Sequence, residues 1–541
     1  MKKIEEIFFE QNGIDRRNFL KYFGLTSAGL LIGNFVPKVN IAAAKSIRHG
    51  GQIKTGILGP IKITSFDPAR ILEISNWQPA WAIYNSLVKF DGDMNVVPDL
   101  AKSWEFKDET TYVFHLHKGI MFHDGNECTA DEVKYSIERI KDPKAASPGW
   151  EKFKEIQDII PVDRYTVKIK TKKPFAPLLS YLTNTRTRSQ IVSRKAIEKY
   201  GDEFGMHPVG TGPFKFKEWK AGNYVMVERF NNYFKKGLPY LKQIKFLFIP
   251  EVVSGITALQ AGDIQAVNTL APSMVKEIEG TKGIKFFRKE GLNFRFIMFN
   301  NKRPPFDDQK VRLAFAKSIN RKDMIKAVLF NEATESRGPI PPAIKWAYDP
   351  TLNIQSYDPK KARELLAQSR YSKQELQRMN IKLEGFGSGK WKRMAEVGAY
   401  QISQSLGLNI QTNITEYGSL FERLKTGNYL FTVFGHLGPV EIDEYMYDHY
   451  YSTASEFNLA YGQNYSNKTV DKLLEQGRIE LDLKKRAEIY RKAQRIIAED
   501  APNIFCFHAN VLQAVSDQLG GFLPTAYNGF GAQFEEAYMK G

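Results

Sequence analysis

Three of the chain's eight histidines stand close together: His115, His117 and His123, in the stretch VFHLHKGIMFHDG. Imidazoles two and six residues apart are the kind of donors a small metal site uses, so metal binding is the first chemistry to weigh. The surroundings argue against it, because no acidic or sulfur ligand completes the spacing. The only cysteines are Cys128 and Cys506, and there is no Cys-x-x-Cys, no haem-attachment motif and no G-x-G-x-x-G after a strand. No G-x-S-x-G or H-E-x-x-H offers a nucleophile or a catalytic metal either. The expectation is a protein that is not an enzyme, with no catalytic residue, no metal and no cofactor. The two cysteines could pair in an oxidising compartment, but two buried free thiols is the preferred reading.

The elements around the histidines form a recognisable unit. Residues 111–117, TYVFHLH, alternate like a strand and put His115 and His117 on one face with Val113. FHDGNE is a turn, in which His123 is expected to bond locally. TADEVKYSIERIKDP then begins with a capping box, Thr129 and Glu132, and repeats Val133, Ile137 and Ile140 at helical spacing until Asp142 and Pro143. Upstream, IKITSFDP (61–68) reads as a strand closed by a turn at Asp67 and Pro68, and 77–90 as a helix and strand. Downstream, 210–230 reads as two alternating strands and 241–250 as another. Next come a helix stopped by Gly262, a helix starting at Asp358 with Pro359 in its first turn, and two amphipathic helices near 467–477 and 484–499. A last strand begins at NIFCFH. Helices and strands mixed throughout argue for an α/β protein of several intertwined lobes.

Composition fits that class. A chain of 541 residues exceeds one core, and 43% hydrophobic with 25% charged residues is ordinary for a globular protein. The formal net charge of +17 is spread along the chain rather than gathered in blocks, so no nucleic-acid partner is expected. The N-terminus is more specific. DRRNFLK, with Arg16, Arg17, Phe19, Leu20 and Lys21, resembles a twin-arginine export signal in which Asp15 replaces the usual hydroxyl residue. The apolar run after it is short of the ~20 residues that span a bilayer. Ala42 and Ala44 fit an A-x-A cleavage site. A periplasmic protein, delivered by the twin-arginine translocase, is therefore expected.

Several stretches, in order, resemble the family-5 extracellular solute-binding proteins, the oligopeptide, dipeptide and nickel-type receptors of ATP-driven importers. They are SFDPA, IYNSLVKFDGDMNVVPDLAKSWEF running on to YSIERI, PVGTGPFKFKEW, NNYFKKGLPYLKQIKF, ALQAGDIQAV, FNNKRPPFDDQKVRLAFAKSINRKDMI, YDPKKARELLA and RAEIYRKAQRIIAEDAPNIFCFH. The resemblance runs from about residue 50 to about 515. It implies a two-lobed α/β periplasmic binding protein fold, type II, of the large class with an extra domain, closing on a ligand by hinge bending. Carried over, residues 1–44 are the signal peptide. Residues 45–74, 207–300 and 505–541 form domain I, 75–206 form domain II, and 301–504 form domain III. The implied partners are a small or peptide-like ligand and an inner-membrane ABC permease, with the receptor a monomer. The histidine stretch falls in domain II, away from the cleft.

The ligand is read from departures. Peptide-binding members carry a W-x-x-D-Y-x-x-P-like motif whose acidic residue pairs with the ligand's α-amine, and the matching stretch here is FGHLGPVEIDEYMYDHYY (434–451). His436 stands where the family often has Trp, and Gly438 with Pro439 occupies the place of the acidic residue, leaving Glu441 or Asp443 to take over. Lys62 and Ile63 fall at positions that resemble ligand-lining ones, and Arg295 lies in a strand approaching the cleft. These cations favour an anionic group on the ligand. The expectation is a peptide-like compound, an amino-acid conjugate or another anionic or zwitterionic solute. The alternatives are a nickel-chelate or haem receptor of the same family, an exported hydrolase or redox enzyme, or a set of charges that are merely solvated or paired with one another.

Overall fold

The computed structural model describes residues 47–541, apart from 60, 146, 437, 439 and 528–531. The proposed signal residues Arg16, Arg17, Phe19, Leu20, Lys21, Ala42 and Ala44 lie outside the described residues.

An eleven-stranded mixed sheet runs through the molecule. At one end the strands Phe214–Lys220, Tyr224–Arg229 and Gln243–Ile249 pair antiparallel, and Gln52–Leu58 joins parallel to the last of them. At the other end Lys382–Phe386 lies between Gln411–Thr415 and Phe431–His436, parallel to both. Two long antiparallel strands, Ile284–Phe299 and Asn503–Ser516, connect the halves. Residues 284–289 pair with 511–516 in the first half, and 293–298 pair with 503–509 in the second, with the register broken between Lys289 and Asn293. Gly291 sits in that break, where a Cβ would stand 2.2 Å from the carbonyl oxygen of Ala509. Only a residue without a side chain lets the two backbones come so close.

Both faces of the long strand are covered in the second half, which explains the near-continuous apolar run of FRFIMFN. Phe294, Phe296 and Met298 pack with Tyr445, Tyr490 and Ile497 on one face. Ile297 and Phe299 pack with Phe315, Met394 and Ile402 on the other. The first half has its own core around Ile53, Phe66, Trp77, Trp81 and Phe246.

A separate four-stranded antiparallel sheet holds the histidine stretch, in the order Ala101–Asp108, Thr111–Leu116, Thr166–Thr171, Ile156–Asp163. The helix Ala130–Lys141 packs on it through Val133, Ile137 and Ile140. Its capping box is formed as read: Thr129 accepts from the first turn, and the Glu132 carboxylate accepts from the Thr129 backbone N–H at 3.1 Å. The three histidines engage separate partners. His115 faces Glu105 on the neighbouring strand at 3.6 Å, and His117 packs on Phe234. His123 is bound over a long range rather than locally, with Nε2 3.0 Å from the carbonyl of Gly212 and Nδ1 accepting from the backbone of Gly210. Burial holds it near pKa 4, hence neutral.

The late helices form as Lys468–Ile479 and Leu483–Asp500, and the Asp358-capped helix as Pro359–Ala367. One expected strand does not form. Residues 61–68 run as a loop, because side chains take up its carbonyls: Ser75 Oγ donates to Lys62 O at 3.1 Å and Asn76 Nδ2 to Ser65 O at 2.7 Å. The strand of this region is Gln52–Leu58, one turn earlier. Cys128 and Cys506 are free, buried in different cores.

Candidate ligand-binding cavity

A cavity of about 550 Å³ opens between the small-sheet unit and the second half of the large sheet. That volume is within the ordinary range for pockets that take small molecules. Trp77 and Leu72 contribute from the first half. The floor on one side comes from the segment 148–154 and the loop 183–191, and on the other from the end of strand Phe431–His436 and the helix Ile442–Tyr450. Phe434, Phe457 and Tyr461 supply an aromatic wall, with ring centroids 4.7–5.8 Å apart.

The helix Ile442–Tyr450 carries its chemistry by period. Asp443 and Glu444 lie in the first turn, where carboxylates suit the positive end of the helix. Asp448 follows Glu444 by four residues and so shares its face. Contacts across the cavity tie the two sides. Lys152 pairs with Glu444, Tyr181 Oη donates to Asp443 Oδ2 at 3.5 Å, and Arg186 Nη2 donates to Gly438 O at 3.0 Å. Below them, Ala176 N donates to Arg478 O at 2.8 Å.

Five cations (Lys152, Lys154, Arg186, Arg188 and Arg478) and five carboxylates (Glu151, Asp443, Glu444, Asp448 and Glu456) line the cavity. Three pairs satisfy each other: Lys152 with Glu444, Lys154 with Glu151, and Arg478 with Asp443 at 3.1 Å. Burial works to raise the Glu444 carboxyl, but the Lys152 ammonium outweighs it and holds Glu444 below the usual range. Four charges are left over. Arg186 and Arg188 make no ion pair among the described residues; they bond only backbone carbonyls, those of Gly438, Ile71 and Arg186 itself. Burial, with Arg186 adding repulsion, lowers Arg188 to about 10. Asp448 and Glu456 make no side-chain hydrogen bond or ion pair among the described residues. Burial pushes Asp448 well above the carboxylate range, with Asp443 adding to it, and raises Glu456 in the same way with Glu151 adding. Asp443 Oδ1, although buried, has no hydrogen-bond partner among the described residues. Among the described residues the cavity therefore has two arginines without an ion-pair partner and a group of carboxylate oxygens lacking donors.

The residues singled out by sequence divide in two. His436, Gly438 and Asp443 line the cavity. His436 Nδ1 is 3.1 Å from Nε2 of buried His449, which stacks on Phe457, and burial drives the His436 pKa to about 4, so its ring is neutral. The other four stand elsewhere. Lys62 is exposed and Ile63 half-buried against the first core, on the loop that replaces the expected strand. Glu441 is buried against Arg486 at 2.6 Å, an internal pair. Arg295 is buried on the sheet face opposite Phe294 and Phe296, since alternate residues of a strand point to opposite sides. Its Nη1 donates to the carbonyls of His436 and Phe294. Sequence reading passed over Arg186, Arg188, Lys152 and Asp448. The signal available for the arginines was two of them, two apart, within the otherwise neutral run NTRTRSQ.

The pattern describing bacterial extracellular solute-binding proteins, family 5, matches residues 95–458. The chain belongs to that family. A glutathione-binding protein GsiB of Pectobacterium atrosepticum is 31% identical over 477 residues, covering 85% of this chain and 89% of that protein. The periplasmic binding protein DppA of Helicobacter pylori, solved with the peptide STSA, superposes with a TM-score of 0.76 at 26% identity, over 91% of this chain and 99% of that one. AgaA of A. tumefaciens R10, solved with agropinic acid, gives 0.76 at 25% identity over 91% and 99%. This family-5 protein thus has the two-lobed α/β fold of periplasmic binding proteins and serves an ABC transporter as its solute-binding component. Its relatives are binding proteins of transporters. Among the described residues no helix is long and apolar enough to cross a membrane.

Proposed function

We propose that this chain is a periplasmic receptor for a short zwitterionic, peptide-like compound that carries at least one free carboxylate and one ammonium group. The observation that carries the reading is the set of charges left without partners in an otherwise paired cavity. Arg186 and Arg188 offer donors to a carboxylate, while Asp448 and the free Oδ1 of Asp443 offer acceptors to an ammonium. Buried charges of this kind cost free energy until something meets them, and a ligand bearing the complementary charges does so. Five cations facing five carboxylates favour a zwitterion over a strongly anionic solute. The glutathione-binding and peptide-bound relatives support the same class.

In this reading the ligand bridges both sides of the cavity and stabilises the closed arrangement, which the inner-membrane permease recognises in a monomeric receptor. The register break at 289–293, facing 509–511, is the proposed hinge, and the twin-arginine signal at residues 1–44 is the proposed export route. The three-domain division, with 45–74, 207–300 and 505–541 as domain I, 75–206 as domain II and 301–504 as domain III, is part of the same proposal. A thermal-shift panel on the mature protein tests the ligand class. Glutathione and free di- and tripeptides are expected to raise Tm, by an amount equivalent to about 2.7 kcal/mol at a hundredfold excess over Kd. The same peptides N-acetylated or C-amidated are expected to give little shift. Equal shifts from blocked peptides, or shifts from neutral sugars, overturn the reading.

A further inference from the structure

A second and much smaller pocket lies behind the large sheet, on the face turned away from the cavity. Its free volume is about 20 Å³, room for a single water-sized particle. Most of its wall is apolar, with Val328, Trp391 and Phe507 among the lining residues, yet two cations enter it: Arg295 and Lys390.

Arg295 is 3% exposed and has no carboxylate within ion-pair distance among the described residues. Only its Nη1 is engaged, with two carbonyls; Nε and Nη2 have no hydrogen-bond partner among the described residues. A guanidinium does not shed its proton at any pH the protein meets, so the charge persists, met among the described residues only by two carbonyls and the face of Trp391. Lys390, exposed as a residue, has no carboxylate partner either among the described residues. Burial of its ammonium, with repulsion from Arg295 adding, lowers it to about 8. Both cations lie near the Trp391 ring, the guanidinium carbon 5.0 Å and the ammonium 5.7 Å from its centroid. Lys390 is also the first residue of the 17-residue helix Lys390–Leu406, whose cap residue Gly389 contributes no side-chain acceptor. The helix start thus adds partial positive charge and free N–H groups where the two cations already meet.

We propose that this pocket binds one monovalent inorganic anion of chloride size, held by Arg295, Lys390 and the N-terminal N–H groups of the helix Lys390–Leu406. The volume suits a monatomic ion. Arg295 also holds the carbonyl of His436, which lines the ligand cavity, so the anion braces that wall from behind. The site shares no lining residue with the cavity and does not depend on which ligand the cavity takes.

Bromide is the probe. Crystals of the mature protein grown in sodium bromide, with data collected at the bromine absorption edge, are expected to show an anomalous peak between Arg295 and Lys390. That peak is expected to vanish in Lys390→Met, a substitution at an exposed helix start that leaves the fold intact. In solution the wild type is expected to melt about 1–3 °C higher in sodium bromide than in sodium gluconate at equal ionic strength, with the difference lost in Lys390→Met. No peak in the wild type together with equal melting in the two salts overturns the proposal, as does a salt-specific shift that Lys390→Met leaves unchanged.

Discussion

Replacing Asp448 with Asn separates a ligand-binding charge from a structural one. Asp448 sits on the helix Ile442–Tyr450, lines the cavity and makes no side-chain hydrogen bond or ion pair among the described residues. Burial already pushes its carboxyl well above the usual range, so the empty protein gains nothing from its charge. Asn keeps the shape and removes the charge, and the stability of the empty protein is expected to be unchanged or raised. Binding responds in the opposite direction. A hydrogen bond to a charged group is worth about 1.5–3 kcal/mol, and its loss raises Kd roughly 10- to 150-fold for a ligand with a free ammonium. Calorimetric titration with glutathione, alongside denaturant melts of the ligand-free protein, reads both quantities. A Kd within twofold of wild type refutes the assignment of the ammonium to Asp448. A parallel fall in stability and affinity refutes the claim that the residue is uncompensated in the empty cavity.

Binding of an ammonium-bearing ligand should itself depend on pH. The ammonium favours the ionised form of Asp448, lowering its pKa in the complex below the raised value of the free protein, so affinity falls as pH drops through that raised value. In Asp448→Asn that slope should flatten, and a series of titrations at stepped pH checks it. Glu441→Gln should destabilise strongly, by about 3–5 kcal/mol, since it strands buried Arg486, but ligand affinity of the folded fraction should hold. Urea denaturation and titration of the same variant measure the two. Gly291→Ala forces a Cβ to within 2.2 Å of the Ala509 carbonyl oxygen, a backbone atom that cannot rotate aside, and should cost about 1–3 kcal/mol. Denaturant melts read that cost, and an unchanged midpoint would contradict the close approach. Thr129→Ala should lose about 1 kcal/mol through its cap, read the same way.

Local chemistry carried much of the fold into view. The Thr129–Glu132 capping box, the Asp358–Pro359 helix start and the alternating strands of 214–229 each depend on residues close in sequence, and each forms as read. Failures came where a distant partner decides. Residues 61–68 have strand-like composition, but Ser75 and Asn76 occupy their carbonyls, so Lys62 and Ile63 never reach the cavity. Arg295 shows the effect of a one-residue shift in facing: its neighbours Phe294 and Phe296 pack on the cavity side of the sheet and it packs behind. Glu441 and Asp443 look alike in sequence, yet the first turns to Arg486 and the second to the cavity. The arginines of NTRTRSQ were invisible because nothing local says that a loop charge is buried without a counter-ion. That is a property of how the two sides of the cavity meet. The histidines that open the chemical reading of this sequence each meet a different neighbour on or beside the small sheet.

The most direct test is to weigh what the receptor carries. Protein purified from its source cells, denatured and analysed by mass spectrometry, is expected to release near-stoichiometric amounts of a small compound that reacts with both amine- and carboxylate-specific reagents. Stoichiometric release of a compound lacking either group, such as a neutral sugar, would contradict the account of the cavity.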